Sequence, residues 1–186
     1  MRKTIISSVV GLVLILLLAL AAVGSASPSR QAVKPQAPAQ KGLNIVQIAG
    51  GYNMTVNSRF QSTLKFNPGD LTVKQGAVVT WIDGAAVPVA DTVTIVPSGA
   101  LPATPAGVFH CLARGQLCSR VWAAHQVARP NLFLNRGGPG FGSPGDSILI
   151  QNHKAFSVKI TAPAGSTLRY MSVTHPWMQG TIKVTK

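Results

Sequence analysis

The residues best suited to metal chemistry lie near the carboxyl terminus, in the stretch RYMSVTHPWMQGTIKV from Arg169 to Val184. His175 and Met178 are three residues apart, in a short polar break between two strand-like runs. Imidazole nitrogen and thioether sulfur suit copper, and a tight loop between strands holds them at a fixed separation. Ser172, three residues before His175, stands where such a site would use a thiolate. The stretch is therefore a working metal site, a disabled one, or a loop that only resembles one.

Short strands are the elements that position this loop. From residue 44 onward, about seven runs are rich in β-branched and aromatic residues, several of them alternate, and Gly, Pro, Asn or Asp bound them. The runs are RFQSTLKFNP, DLTVKQG, AVVTWID, DTVTIVP, DSILIQN, FSVKITAP and GTIKVTK. This number of short runs predicts an all-β fold, an antiparallel β-sandwich. Trp81 and Phe156 are the predicted core anchors.

The regular pattern breaks between residues 98 and 145, which we interpret as an insertion. This segment is rich in Gly and Pro, and one short helix is predicted in it, SRVWAAHQVA, with Ser119 as its cap. A connection of this length inside a compact domain is typically functional or covers part of the core.

The insertion contains the two cysteines of the chain, Cys111 and Cys118. In an exported protein such a pair favours a disulfide that closes a small loop. The alternative is a tetrahedral metal site that adds the imidazoles of His110 and His125 to the two sulfurs.

The first residues predict export. Arg2 and Lys3 precede a long apolar run, and the small residues GSAS follow it. Residues 1–26 are therefore a signal peptide cleaved at Ala26 or an uncleaved membrane anchor, because the run is near the length that spans a bilayer. Residues 27–43, rich in Pro, Ala, Gln and Lys, predict a flexible linker, and residues 44–186 form the predicted domain. Either form of the leader places the domain outside the cytoplasm.

Charge and missing motifs limit the function classes. The chain has 17 Lys and Arg against four acids, all of them Asp, which favours anionic partners such as an acidic protein, an anionic membrane or a cell-wall surface. The basic residues are scattered singly, unlike a nucleic-acid-binding arm, so nucleic acid is not an expected partner. Motifs of serine hydrolases, zinc proteases and phosphate-binding loops are absent from the sequence, and we expect no enzymatic activity.

Two segments resemble the cupredoxins, the plastocyanin-like blue copper proteins. YMSVTHPWMQGTIKV is similar to the last loop and strand of the subgroup whose loop is Tyr-x-Cys-x-x-His-Pro-Trp-Met-x-Gly. FNPGDLTVKQGAVVTWID, residues 66–83, is similar to the early strands of the family. The two regions of resemblance cover about residues 60–97 and 147–186 and imply a Greek-key sandwich.

The resemblance also implies a ligand set. Its four positions are occupied here by Asp91, Ser172, His175 and Met178, and only the last two are the residue types that the family uses. Asp91, in VADTVTIV, replaces the first histidine, and Ser172 replaces the cysteine. The implied function is copper binding and electron transfer through an atypical or impaired site, with an acidic redox partner protein. The alternative is a metal-free binding or structural module that holds an anionic partner through its basic surface or its insertion.

Overall fold

The computed structural model describes residues 44–127 and 130–186, so the predicted leader and linker, residues 1–43, lie outside the described residues. The strands are, in chain order, β1 Ile45–Ala49, β2 Tyr52–Thr55, β3 Arg59–Ser62, β4 Lys65–Asn67, β5 Asp70–Lys74, β6 Val78–Asp83, β7 Asp91–Val96, β8 Phe133–Leu134, β9 Ser147–Ile150, β10 Ala155–Lys159, β11 Thr167–Met171 and β12 Gln179–Thr185. Two helices, α1 Pro105–Leu112 and α2 Leu117–His125, lie between β7 and β8. Neither helix is long and apolar enough to cross a bilayer.

The strands form two sheets and a separate hairpin. One sheet has the order β10-β6-β1-β4, the other has the order β5-β12-β11-β7-β9-β8, and β2 pairs only with β3. Most pairs are antiparallel, whereas β1 with β6 and β5 with β12 are parallel. The order within each sheet departs from chain order, as Greek-key connections require. The predicted β-sandwich with a helical insertion is confirmed.

The core is built around three aromatic side chains that are fully buried. The Trp81 ring makes edge contacts with Tyr170 and Phe141, each at a centroid distance of 5.9 Å. The Tyr170 hydroxyl donates a hydrogen bond of 2.7 Å to the backbone oxygen of Gly69. Trp81 is the core anchor that the sequence predicts, but Phe156 only packs against the cluster and is half-buried. Phe141, from the irregular segment, is the fully buried phenylalanine that contacts Trp81, the position predicted for Phe156.

The insertion is more helical than its sequence predicts. α1 was not predicted; it begins after Thr104, whose hydroxyl accepts from the Gly107 N–H at 3.1 Å. The prediction that Ser119 caps the second helix is wrong, because α2 begins at Leu117 with Gln116 at the cap. The Ser119 hydroxyl instead donates to the carbonyl oxygens of Ala113 and Gln116.

A disulfide joins the two helices, and apolar packing holds them against the sandwich. Cys111 and Cys118 are bonded, which confirms the predicted pairing. Both residues pack in a second apolar cluster with Val96, Met171 and Val173, which belong to β7, β11 and the loop after β11. The insertion therefore lies over the strands that carry the predicted ligand positions.

The segment RFQSTLKFNP, predicted as one strand, is divided into β3 and β4, which lie in different sheets. The division occurs at Thr63, whose N–H donates to the Gly51 oxygen at 2.9 Å and closes the β2–β3 hairpin at its base. β1 and β2 were not predicted. β1 is short, yet it buries Val46 and Ile48 completely.

Candidate metal centre

The four predicted ligand positions meet at one end of the second sheet. Asp91 is the first residue of β7 and Ser172 directly follows β11, the antiparallel neighbour of β7. His175 and Met178 lie in the loop that leads into β12. Two backbone hydrogen bonds close this loop, from the Ser172 N–H to the Met178 oxygen at 3.0 Å and from the Met178 N–H to the His175 oxygen at 2.8 Å.

Asp91 is the centre of the cluster. Its Oδ1 accepts hydrogen bonds from His175 Nδ1 at 2.7 Å, from Ser172 Oγ at 2.8 Å and from Thr174 Oγ1 at 3.2 Å. Its Oδ2 is buried and has no hydrogen-bond partner within the described residues. A buried carboxylate oxygen without a partner is costly, and a proton, a water or a cation is the usual remedy.

Both ring nitrogens of His175 are engaged. A carboxylate only accepts, so Nδ1 carries the hydrogen of the bond to Asp91. Nε2 lies 2.6 Å from the hydroxyl of Tyr52, a residue of β2 that the sequence did not single out. Burial raises the pKa of Tyr52, and the nearby Asp91 carboxylate raises it further, so this hydroxyl keeps its proton and can donate it to Nε2. The hydrogen bonds to Asp91 and to Tyr52 together fix the orientation of the His175 imidazole.

Aromatic rings cover His175 on two sides. The Trp177 ring meets the imidazole edge-on at a centroid distance of 5.2 Å, and the Tyr52 ring lies at 6.1 Å. As a result His175 is only 8% exposed, although it lies at the end of the sandwich.

The cluster contains Ser, His and Asp, but its hydrogen bonds are not those of a hydrolytic triad. In such a triad the serine hydroxyl bonds to the histidine nitrogen that faces away from the carboxylate. Here Ser172 Oγ donates to Asp91, and Tyr52 occupies the far nitrogen of His175. Ser172 Oγ is also fully buried. The arrangement therefore offers no activated serine nucleophile.

The donor set does not fit a type 1 blue copper centre, because Ser172 provides a hard hydroxyl instead of a thiolate. It does fit a borderline divalent ion held by carboxylate and imidazole. Asp91 Oδ1 and His175 Nδ1 are joined by a hydrogen bond of 2.7 Å, so an ion bound between them would take the place of the Nδ1 hydrogen. The unpartnered Oδ2 is a further candidate ligand atom, and Met178, 1% exposed, is packed in the core cluster.

The alternative site built on the insertion is not formed. The two cysteine sulfurs are bonded to each other, so neither is a thiolate ligand. His110 is exposed on α1, whereas His125 is fully buried on α2. Its Nε2 lies 2.8 Å from Ser147 Oγ, and its Nδ1 is hydrogen-bonded to the Asn131 oxygen. Within residues 44–127 and 130–186, no three His, Cys, Asp or Glu side chains form a metal-binding group.

His125 makes the stability of the fold depend on pH. Burial lowers the pKa of its imidazole, and the hydrogen bond to the Asn131 oxygen offsets this only in part. The unfolded chain therefore takes up a proton at about pH 6.5, where the folded state still resists it. We expect the free energy of unfolding to fall as the pH drops below about 6.5, by at most about 1.4 kcal/mol per pH unit from this group. Urea denaturation at several pH values measures the slope.

A matched pair of variants isolates this contribution. His125→Gln keeps polar atoms near Ser147 but has no titrating ring, so it should flatten the slope whatever it does to absolute stability. His110→Gln changes an exposed histidine and should leave the slope as it is. Equal slopes in the wild-type protein and His125→Gln would show that the buried imidazole is not the source.

The comparisons with known proteins concern the fold. No family model matches the sequence, and none of the curated proteins is a match. Among solved structures, a reduced Cu(I) form of an amicyanin mutant is similar, with 18% identity and a TM-score of 0.40, over 78% of this chain and 85% of that chain. A purple cupredoxin from Nitrosopumilus maritimus has 13% identity and a TM-score of 0.41, over 76% of this chain and 98% of that chain. Dithionite-reduced auracyanin from Roseiflexus castenholzii has 15% identity and a TM-score of 0.40, over 77% and 98%.

Proposed function

We propose that this chain is a cupredoxin-like copper protein that acts outside the cytoplasm and holds its metal without a thiolate. The observation that carries the proposal is the buried Asp91 Oδ2, which lacks a hydrogen-bond partner within the described residues while Oδ1 contacts His175 Nδ1. A cation bound there would satisfy the orphaned oxygen. The sequence resemblance, with its HPWM loop frame, supports copper as the ion, and the leader predicted from residues 1–26 supports export as the route.

Each side chain has a distinct part in this proposal. Asp91 and His175 would hold the ion, and the sequence resemblance assigns the thioether of Met178 as an additional soft donor. Ser172 and Thr174 donate hydrogen bonds to Asp91 Oδ1 and so orient its carboxylate. Copper, when bound, supplies one-electron chemistry between Cu(I) and Cu(II).

Tyr52 can adapt to both states of His175. In the metal-free protein Nδ1 carries a hydrogen and Nε2 accepts from the Tyr52 hydroxyl. With a metal on Nδ1, Nε2 would carry the hydrogen and the hydroxyl oxygen would accept it. The hydroxyl therefore keeps the ring in place through metal binding. We propose copper binding as the main function. Electron transfer to an acidic redox partner protein is a secondary function, and it should be slow because the site lacks a thiolate ligand.

A second candidate function is a metal-free binding module. One observation favours it: His175 and Asp91 Oδ1 already have hydrogen-bond partners within the protein. In this alternative the cluster only stabilises the end of the sandwich, and the cationic surface or the insertion binds an anionic partner.

Copper uptake separates the two functions. The protein is first converted to a background variant, His110→Gln/His153→Gln, which removes two exposed histidines that bind copper adventitiously. Equilibrium dialysis of this variant against Cu(II), followed by metal analysis, is expected to give one copper per chain. Its absorption should be weak, because no thiolate-to-copper charge transfer is available, and electron paramagnetic resonance should show nitrogen and oxygen ligation.

Added to that background, His175→Gln and Asp91→Asn should each abolish the bound copper. Absence of copper uptake in the background variant would overturn the proposal and favour the metal-free module. Uptake that survives both substitutions would place the copper elsewhere, which equally overturns it.

A further inference from the structure

The β2–β3 hairpin has one apolar face. Met54 pairs with Phe60 across the hairpin, and Tyr52 pairs with Ser62, so these four side chains lie on the same side. The rings of Tyr52 and Phe60 are in contact, tilted by 40°, at a centroid distance of 5.1 Å. The opposite side, with Asn53, Thr55, Arg59 and Gln61, is polar. The hairpin pairs with no other strand, so its apolar face is not part of either sheet.

A groove of about 810 Å³ separates this hairpin from the insertion. Phe60 lines one wall, Val108, Phe109 and Leu112 of α1 line the other, and Trp177 lies between them. No charged side chain lines the groove. Phe109 is 73% exposed and Phe60 is 61% exposed, so the walls stand open to solvent.

The tip of the hairpin extends the apolar surface beyond the groove. Met54 is 70% exposed and Val56, in the turn, is 76% exposed. We call Met54, Val56, Phe60, Phe109, Leu112 and Trp177 the apolar rim. Exposed apolar surface of this extent around one edge marks an interaction site.

The charge around the rim indicates an anionic partner. Arg59 lies on the polar side of the hairpin, opposite Phe60, and Arg114 follows Leu112 by two residues; both are exposed. Of the four acids in the chain, Asp83, Asp91 and Asp146 are buried, which leaves only Asp70 at the surface. Within the described residues, no Lys or Arg forms a salt bridge with a carboxylate. The surface cations are therefore free to face an anionic surface, with almost no carboxylate to oppose them.

We propose that the apolar rim docks on an anionic phospholipid bilayer, with the hairpin tip and the groove walls entering the interface between headgroups and acyl chains. Apolar side chains beside Arg residues are the composition of membrane-surface segments, whose binding combines apolar burial with attraction to anionic lipid. A bilayer suits this surface better than an acidic protein does, because the cations are spread over the domain and the tip residues extend clear of the groove. The proposal does not depend on copper binding.

The orientation of the full-length chain on vesicles tests the proposal. Because both native cysteines are in a disulfide, a single introduced cysteine takes up an environment-sensitive fluorophore selectively. Met54→Cys places it on the rim, and Val78→Cys places it at the start of β6. β6 runs parallel to β1, and the hairpin follows the end of β1, so the two labels lie at opposite ends of the sheet.

On vesicles of phosphatidylcholine with phosphatidylglycerol, the label at position 54 should shift its emission to the blue and be quenched by brominated lipid, whereas the label at 78 should do neither. This contrast holds even if the predicted leader itself inserts into the vesicle. If the leader stays out of the bilayer, Met54→Ser/Val56→Ser should weaken vesicle binding about tenfold or more. Val78→Ser, which changes another exposed valine, should not weaken it.

Three outcomes overturn the proposal. The first is a label at 54 that stays in water on anionic vesicles, including one that changes only when an acidic protein is added. The second is an equal response from both labels. The third is equal docking on vesicles of phosphatidylcholine alone, which would remove the anionic part of the inference.

Discussion

The double variant Asp91→His/Ser172→Cys is expected to bind Cu(II) and become intensely coloured, whereas the unsubstituted protein stays nearly colourless. The two substitutions supply the nitrogen and the thiolate that a type 1 centre needs beside His175 and Met178. The side chains at positions 91 and 172 are already in contact, with Ser172 Oγ 2.8 Å from the Asp91 carboxylate. The backbone N–H groups of Thr92 and His175 point at Ser172 Oγ at 3.4 and 3.3 Å, so a sulfur there would accept two N–H groups that favour its anionic form.

Visible absorption per bound copper measures this result. Ser172→Cys alone should give a weaker and less stable colour, because Asp91 still provides a hard oxygen in place of the imidazole. Asp91→His alone should give no charge-transfer band, because no thiolate is present. A double variant that folds, as judged by circular dichroism, and yet stays colourless with copper would show that the loop from Ser172 to Met178 does not retain the geometry of a copper site.

The strands could be predicted from alternation and from β-branched composition. GTIKVTK became β12, in which buried residues alternate with more exposed ones, whereas DTVTIVP became β7, in which every residue is buried and the β-branched composition is the signal. α1 was missed although Thr104 and Pro105 form a recognised helix start, because the prolines and Gly107 around it favour a loop by composition. The disulfide and the apolar cluster beneath it stabilise this helix, and neither is visible as local periodicity.

The meeting of Asp91, Ser172 and His175 could be predicted from the resemblance, but their hydrogen bonds could not. Thr174 follows Ser172 by two residues and carries no pattern of its own, yet it also bonds to Asp91. Tyr52 reaches His175 from 123 residues away in the chain. The alternation around Tyr52 could have indicated a hairpin, but the side of the sandwich that this hairpin covers depends on tertiary packing, which a single sequence does not encode locally.

Asp91→Ala is expected to lower the free energy of unfolding of the metal-free protein by about 2–3 kcal/mol, the upper part of the range for leaving a buried hydrogen-bond donor without its acceptor. The Asp91 side chain is almost completely buried, and its Oδ1 accepts from His175, Ser172 and Thr174. The alanine removes the acceptor of His175 Nδ1, whereas the Thr174 hydroxyl can still donate to the Ala90 oxygen and the Ser172 hydroxyl to Thr174 Oγ1. Urea denaturation in the presence of a chelator measures the loss without any contribution from bound ion.

Two further variants show how much of the stability loss in Asp91→Ala comes from the lost hydrogen bonds. Asp91→Asn keeps a carbonyl oxygen that can accept a hydrogen bond and should therefore lose less than the alanine variant. Asp70→Ala removes an exposed carboxylate that accepts from Thr181 N and Oγ1, and it should cost only about 0.5–1.5 kcal/mol. If Asp91→Ala cost no more than Asp70→Ala, Asp91 would contribute little to stability; its burial without a partner for Oδ2 would then be explained by ion binding and not by the fold.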